Sequence, residues 1–259
     1  MAQLYQLYAL NRAASRRFEV VNAEAGDEAT VYLYDMIVST DDEAEWWGGV
    51  SPMGFITELA NISASTVHLR INSPGGDVFA ARCIEQAIAE CGKTVIAHID
   101  GLCASAATYI ALACSKVVMG EGSLFMIHNA WTCAWGDKND LTKTATLLNK
   151  IDATLANSYA KKTAKNTADI AALMDAETWF TAQEALDYGF IDEVSTTETA
   201  KNTAQQAQNW QLGVYKNAPK ALFSQQKPKQ TAQNSLKPNA NPVVFDKQRA
   251  LNRLNLACI

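Results

Sequence analysis

The chain has 259 residues, of which 48% are hydrophobic and 19% charged, and carries a formal net charge of −5 at neutral pH. That is enough chain for one large domain, or for a domain with a tail, and its composition is that of an ordinary folded protein. The acidic balance offers no basic face for nucleic acid, and no apolar run reaches the length of a membrane span.

The first twenty residues, MAQLYQLYALNRAASRRFEV, lack the charged-then-apolar layout of a secretory signal. Cys83, Cys91, Cys103, Cys114, Cys133 and Cys258 form no CxxC pair and lie mostly inside apolar patterns. They read as free, buried thiols of a reducing cytoplasm. No metal and no cofactor is expected.

Residues 1–29, with Arg12, Arg16 and Arg17 and a polar run from Asn22 to Glu28, read as a poorly packed arm with at most one strand. Thr30 to Val38 is rich in Val, Tyr and Ile and predicts a first core strand. Asp41 to Gly49 reads as an acidic loop with two tryptophans. Ser51 then caps a helix with Pro52 at its first position, running to about Asn61. Thr66 to Asn72 alternates strictly and predicts a strand with one buried face.

That strand runs into Ser73-Pro74-Gly75-Gly76-Asp77. Glycines there let backbone N–H groups approach a ligand, because no Cβ intervenes. The next helix, Val78 to Glu90, is expected to bury Phe79, Cys83, Ile84, Ala87, Ile88 and Cys91, stopping at Gly92. His68 and His98, at alternating strand positions, are given structural roles.

Thr94 to Ile99 predicts the following strand, and Ala106 to Ala113 a small-residue helix. Between them lies Asp100-Gly101-Leu102-Cys103-Ala104-Ser105, which puts a serine at a strand-to-helix junction. A serine there is ordinarily a helix cap, but the unpaired N–H groups of a helix start also suit a developing oxyanion. Lys116 to Met119 and Leu124 to Asn129 complete a strand–helix–strand series, the second ending near His128. The order favours a layered α/β fold with a largely parallel sheet, in which function collects at the carboxyl ends of strands.

A long helix from Asn139 or Asp140 to about Lys161 carries one apolar stripe through Leu141, Ala145, Leu148, Ile151 or Asp152, Leu155 and Tyr159. Its length predicts that it projects from the domain and meets another subunit. Thr167 caps a shorter helix, Asp175 to Phe180 returns to strand, and Thr181 with Glu184 forms a capping box for a last helix ending at Gly189. Residues 196–259 are Gln-, Asn- and Lys-rich and read as a flexible tail, with Leu251, Leu254 and Leu256 spaced for a short docking helix.

Hydrolysing an amide needs a nucleophile, a base, a group that orients the base, and donors for the oxyanion. Ser105 is the candidate nucleophile and His128 the candidate base. Asp175 and Glu177 are the candidate orienting acids, and the amides of Gly76 and Ala106 the candidate oxyanion donors.

The motifs Ile71-Asn72-Ser73-Pro74-Gly75-Gly76, Gly101-x-x-Ala104-Ser105-Ala106-Ala107, Met126-Ile127-His128 and Thr181-Ala182-x-Glu184-Ala185-x-x-Tyr188-Gly189-x-x-Asp192 resemble the Clp peptidase (ClpP) family in order and spacing. The resemblance spans about residues 30–195. Trp47-Gly48-Gly49 and Ile127-His128-Asn129-Ala130-Trp131-Thr132 resemble its phage-encoded branch, the head maturation (prohead) proteases.

The resemblance implies a ClpP/crotonase-like fold of repeated β-α units with a projecting long helix. It also implies a serine endopeptidase with Ser105 as nucleophile, His128 as base, and Gly76 and Ala106 holding the oxyanion. The family's aspartate position reads Glu177 here; a glutamate can orient a histidine equally, so Glu177 is preferred to Asp175. The partners implied are a homo-oligomeric ring or rings, peptide or protein substrates such as capsid and scaffold proteins, and an ATPase unfoldase as a possible helper. The setting implied is the host cytoplasm, within an assembling procapsid. The alternatives are a catalytically weak structural ring subunit, a crotonase-like acyl-CoA enzyme, and a Ser-Lys peptidase using Lys93 or Lys116.

Overall fold

The computed structural model describes residues 3–14, 17–22, 27–196 and 210–219. Helix α1 (Gln3–Asn11) is followed by β1 (Arg17–Asn22) and β2 (Glu28–Tyr34), which pair antiparallel. The expected loose arm is therefore a helix and a sheet-edge strand. Leu7 and Tyr8 of α1 are fully buried, and the Tyr8 hydroxyl donates to the Ile37 carbonyl at 2.8 Å.

The expected acidic loop is also a helix, α2 (Asp41–Trp47). Its Thr40 side chain accepts from the Glu43 N–H at 3.2 Å, and Asp41, Asp42 and Glu43 fill the first turn, where carboxylates complement the helix dipole. Gly48 ends it by donating its N–H to the Ala44 carbonyl at 2.9 Å. Helix α3 (Pro52–Asn61) follows with Ser51 as cap, accepting from the Gly54 N–H at 2.9 Å.

Strand β3 (Thr66–Ser73) leads into α4 (Val78–Glu90), capped by Asp77, which accepts from the Ala80 N–H at 2.7 Å. The buried face of α4 is Ala80, Ala81, Ile84 and Ile88. Phe79, expected inside, is 63% exposed, and Cys83 is exposed too. The small alanines let α4 lie close against the sheet and turn the two larger side chains outward.

Strand β4 (Thr94–Ala104) runs five residues beyond its expected end. Its first half pairs with β5 (Lys116–Gly120) at Ile96–Ile99, and its second half pairs with β6 (Leu124–Ile127) at Leu102–Ala104. At the change of partner the β3–β4 register shifts between Ile71 and Ser73. Asp100 marks the bend. It is buried, holds the Arg70 guanidinium through both oxygens, and accepts from the Tyr34 hydroxyl at 2.6 Å. A bidentate guanidinium with a phenol leaves no orphaned charge where the strand bends.

Helix α5 (Ala107–Leu112) follows β4 directly. Helix α6 (Lys138–Thr163) is the long one, capped by Asp137, and α7 (Thr167–Asp175) is capped by Asn166. Along α6 only Leu155, Ala156, Tyr159 and Thr163 are buried, while Leu141 and Leu147 are 46% and 54% exposed. Its N-terminal half thus stands away from the domain with part of its apolar stripe uncovered.

Strand β7 (Thr178–Thr181) pairs antiparallel with β6, α8 (Ala182–Tyr188) carries the Thr181–Glu184 capping box, and β8 (Glu193–Ser195) pairs with β5. The sheet order is β1-β2-β3-β4-β5-β8, all neighbours parallel except β1 and β2, with β6 and β7 branching from the far half of β4. This is the layered α/β fold expected from the sequence.

One apolar core runs between sheet and helices, from Val31 and Leu69 to Ile84, Ile110, Phe125 and Phe190. A second cluster joins Leu7, Tyr8, Met36, Val38, Leu102, Ala104 and Met126 to Trp210, Leu212, Val214, Tyr215 and Ala218. So residues 210–218, expected in a flexible tail, are packed against the domain. The C-terminal leucines 251, 254 and 256, with Cys258, Arg16 and the rest of the tail, lie outside the described residues. No helix among the described residues is long and apolar enough to cross a membrane.

Candidate active site

Three turns at carboxyl ends of strands meet. The first follows β3: Gly75 and Gly76 have φ of 89° and 152°. A Cβ on Gly75 would stand 2.5 Å from the Ala104 carbonyl oxygen and 3.1 Å from the Ala106 nitrogen. A Cβ on Gly76 would stand 1.9 Å from the Ile37 carbonyl oxygen. Glycine is therefore required twice, once for contact with the serine turn and once for contact with the loop after β2. That second contact is a bridge in which Ile37 N–H donates to Gly75 and Asp77 N–H donates to Ile37, each at 3.0 Å. Among the described residues the Gly76 N–H has no hydrogen-bond partner.

The second turn follows β4. Ser105 has φ of 53°, a left-handed conformation that costs a non-glycine residue free energy. Its N–H donates to the Met126 carbonyl at 2.9 Å, tying the end of β4 to that of β6. The kinked turn lifts the Ser105 side chain out of the sheet and leaves the Ala106 N–H outside the helical ladder.

The third follows β6 and carries His128. The Ser105 Oγ and His128 Nε2 are 2.7 Å apart. The loop beyond is held from two sides: the Ala130 N–H donates to Asp152 of α6 at 2.7 Å, and the Asn129 amide donates to Asp175 at 2.6 Å. Burial pushes the imidazole down from 6.5 to about 4; the negative Glu177 opposes that, and the Lys216 charge adds to it. The ring is thus a neutral proton acceptor throughout the neutral range.

Of the two candidate acids, Asp175 is exposed and engaged with Asn129. Glu177 is 8% exposed and sits at a φ of 48° in the turn between α7 and β7. Among the described residues no hydrogen bond joins Glu177 to His128. Its carboxylate accepts the backbone N–H groups of Lys216 at 3.0 Å and Asn217 at 2.7 Å, and it reaches the imidazole through its charge.

Sequence reasoning missed Tyr215. Its ring lies edge-to-face on His128 with centroids 5.4 Å apart, and its hydroxyl donates to the Pro74 carbonyl at 2.5 Å. The available signal was Trp210-Gln211-Leu212-Gly213-Val214-Tyr215, an apolar-rich run inside a polar tail. The role of Asp152, which holds the loop after His128, was likewise not legible, because the helical repeat on which it stands carries no mark of its partner.

A cavity of about 460 Å³ opens onto these groups. Gly76, Ser105, His128 and Tyr215 share its wall with Phe79 of α4, Trp131 and the Leu147–Leu148 stretch of α6. Its lining is more apolar than polar, with the serine–histidine pair among the few polar groups that face it. Among the described residues no group of three or more His, Cys, Asp or Glu side chains could hold a metal ion.

A layered, largely parallel sheet with a serine, a histidine and a glycine turn at adjacent strand ends is the arrangement of a candidate hydrolytic site. The profile of the Clp protease family matches residues 50–198, more than half of the chain, and the chain belongs to that family. It is similar to the ATP-dependent Clp protease proteolytic subunit 1 of Leifsonia xyli subsp. xyli, 29% identical over 137 residues that span 52% of this chain and 70% of that one. The ATP-dependent Clp protease proteolytic subunit of Bacteroides fragilis is 32% identical over 130 residues, 49% of this chain and 63% of its own. The subunit of the same name from Streptococcus pneumoniae is 31% identical over 139 residues, 52% of this chain and 71% of its own.

Proposed function

We propose that the protein is a serine endopeptidase in which Ser105 attacks, His128 moves the proton, Glu177 supplies the negative charge behind the base, and the Gly76 and Ala106 amides receive the oxyanion. The observation that carries this reading is the 2.7 Å approach of Ser105 Oγ to a neutral His128 Nε2. The Ser105 oxygen bonds to the carbonyl carbon as its proton passes to Nε2. That proton then goes to the leaving nitrogen as the C–N bond breaks. Water repeats the sequence on the acyl-enzyme, giving a proton to Nε2 that returns to Ser105. No metal or cofactor takes part in these steps.

The substrates in this reading are capsid and scaffold proteins of a phage head assembling in the host cytoplasm, supported by the likeness of residues 47–49 and 127–132 to the prohead branch. The uncovered stripe of α6, with Leu141 and Leu147, supports assembly into homo-oligomeric rings through that helix. An unfoldase partner is left to experiment. Engagement of Glu177 by backbone N–H groups favours a second reading, a ring subunit of weak activity.

Labelling with a fluorophosphonate, followed by mass mapping, separates the two. Modification confined to Ser105 and absent in Ser105→Ala supports the peptidase. A folded, assembled wild type that takes up no label refutes it and leaves the structural ring.

A further inference from the structure

We infer that residues 210–218 complete the active site in cis, with Tyr215 as a positioning residue for His128 and for the Pro74-Gly75-Gly76 turn. This rests on the peptidase reading of the same site.

The segment is built into the domain. Trp210, Leu212 and Tyr215 are 3%, 2% and 6% exposed, in one cluster with α1 and with Leu102, Ala104 and Met126 from the strands that end at the site. The Trp210 indole donates to Asn72 at 3.1 Å, and the Gln211 N–H to Asn11 at 2.6 Å. The Asn217 amide donates to the Ala176 carbonyl at 2.7 Å. These anchors reach β3, α1 and the turn before β7, so the segment spans the three parts of the chain that surround the catalytic pair.

From this span Tyr215 reaches inward. Its ring closes one side of the imidazole and is itself backed by Trp179, at 5.9 Å between centroids. An edge-to-face neighbour on a histidine limits rotation of the ring, and so holds Nε2 on Ser105. The hydroxyl fixes the Pro74 carbonyl, one residue before the two glycines, and also interacts with the Ser105 side chain. The next two residues present their N–H groups to Glu177. One short stretch therefore touches the base, the acid, the nucleophile and the oxyanion turn. The cavity stays open beside it, bounded and not filled by Tyr215. A segment that blocked the site would lie in that recess; this one forms its wall.

The test is the full chain carrying Tyr215→Phe or Leu212→Asp, compared with wild type and Ser105→Ala. Tyr215→Phe keeps the ring and removes the hydroxyl bonds. The expected result is a fall in kcat of about five- to tenfold with KM nearly unchanged, the size of one lost hydrogen bond that orders the site. Leu212→Asp places a charge in the second cluster and releases the segment. Its labelling rate falls further, and the acid limb of its pH profile moves up towards the ordinary histidine range as water reaches the imidazole.

Faster turnover or labelling in either variant overturns the inference and makes the segment a barrier. Equal kcat in Tyr215→Phe, with the acid limb of Leu212→Asp unmoved, overturns it and leaves the peptidase reading intact. A wild type without Ser105 labelling at any pH removes both.

Discussion

Acidification separates the chemistry of His128 from that of an ordinary surface histidine. An unfolded histidine titrates near 6.5, whereas burial brings the folded His128 to about 4. Between these values the unfolded chain binds a proton that the folded one refuses. The stability linked to this residue is therefore fully present above about pH 6.5 and is lost as the pH falls towards 4. The gap corresponds to about 3 kcal/mol, a large share of a domain's net stability. Activity follows a different curve. Because the base stays neutral, the labelling rate of Ser105 should hold nearly constant from pH 7 to about 5 and halve near 4. The assay is fluorophosphonate labelling against pH, with circular dichroism at each point to confirm that the chain is still folded. Glu177→Gln removes the charge that raises the imidazole, so its acid limb should move lower. A midpoint near 6.5 in the folded wild type would refute the reasoning, since it would mean that water reaches the ring freely.

Three further outcomes test other parts of the site. Gly76→Ala forces a Cβ into the Ile37 carbonyl, so both the bridge at Ile37 and the amide proposed for the oxyanion are displaced; labelling should drop about a hundredfold, with a lower Tm in a thermal melt. Asp175→Asn, in an exposed group bonded only to Asn129 among the described residues, should leave the labelling rate within about twofold, because its loss leaves no buried charge. Phe190→Ala removes a fully buried ring in contact with Phe125, Phe180 and Tyr159; urea unfolding should show a loss of about 3–5 kcal/mol, with the pH midpoint of labelling unchanged in the protein that remains folded.

Much of the fold was legible because it is written in local periods and caps. Strict alternation from Thr66 marked β3, Ser51-Pro52 opened α3 at the expected residue, and the Thr181–Glu184 spacing formed its capping box. The candidate nucleophile and base followed from the same logic, because the ends of successive parallel strands lie side by side. Where the expectation failed, packing against the sheet or a cap had decided. Phe79 turns outward because alanines fill the seam beneath α4, and the run Asp41–Trp47 becomes a helix once Thr40 caps it. The acid-rich composition that suggested a loop also suits a helix start.

The sequence alone determined the β-α order from β3 to α8, the serine and the glycine turn at their strand ends, and the approximate length of α6. Each depends on a residue's own preference or on its near neighbours. Only the tertiary structure decided that β4 would divide its pairing between β5 and β6, and that Glu177 would hold two backbone N–H groups. It alone placed Tyr215 against His128. The Trp210–Asn72 bond joins residues 138 positions apart, and no periodicity records such a separation. Its partners are chosen by the shape and unmet hydrogen bonds of a surface that exists only after the sheet has formed.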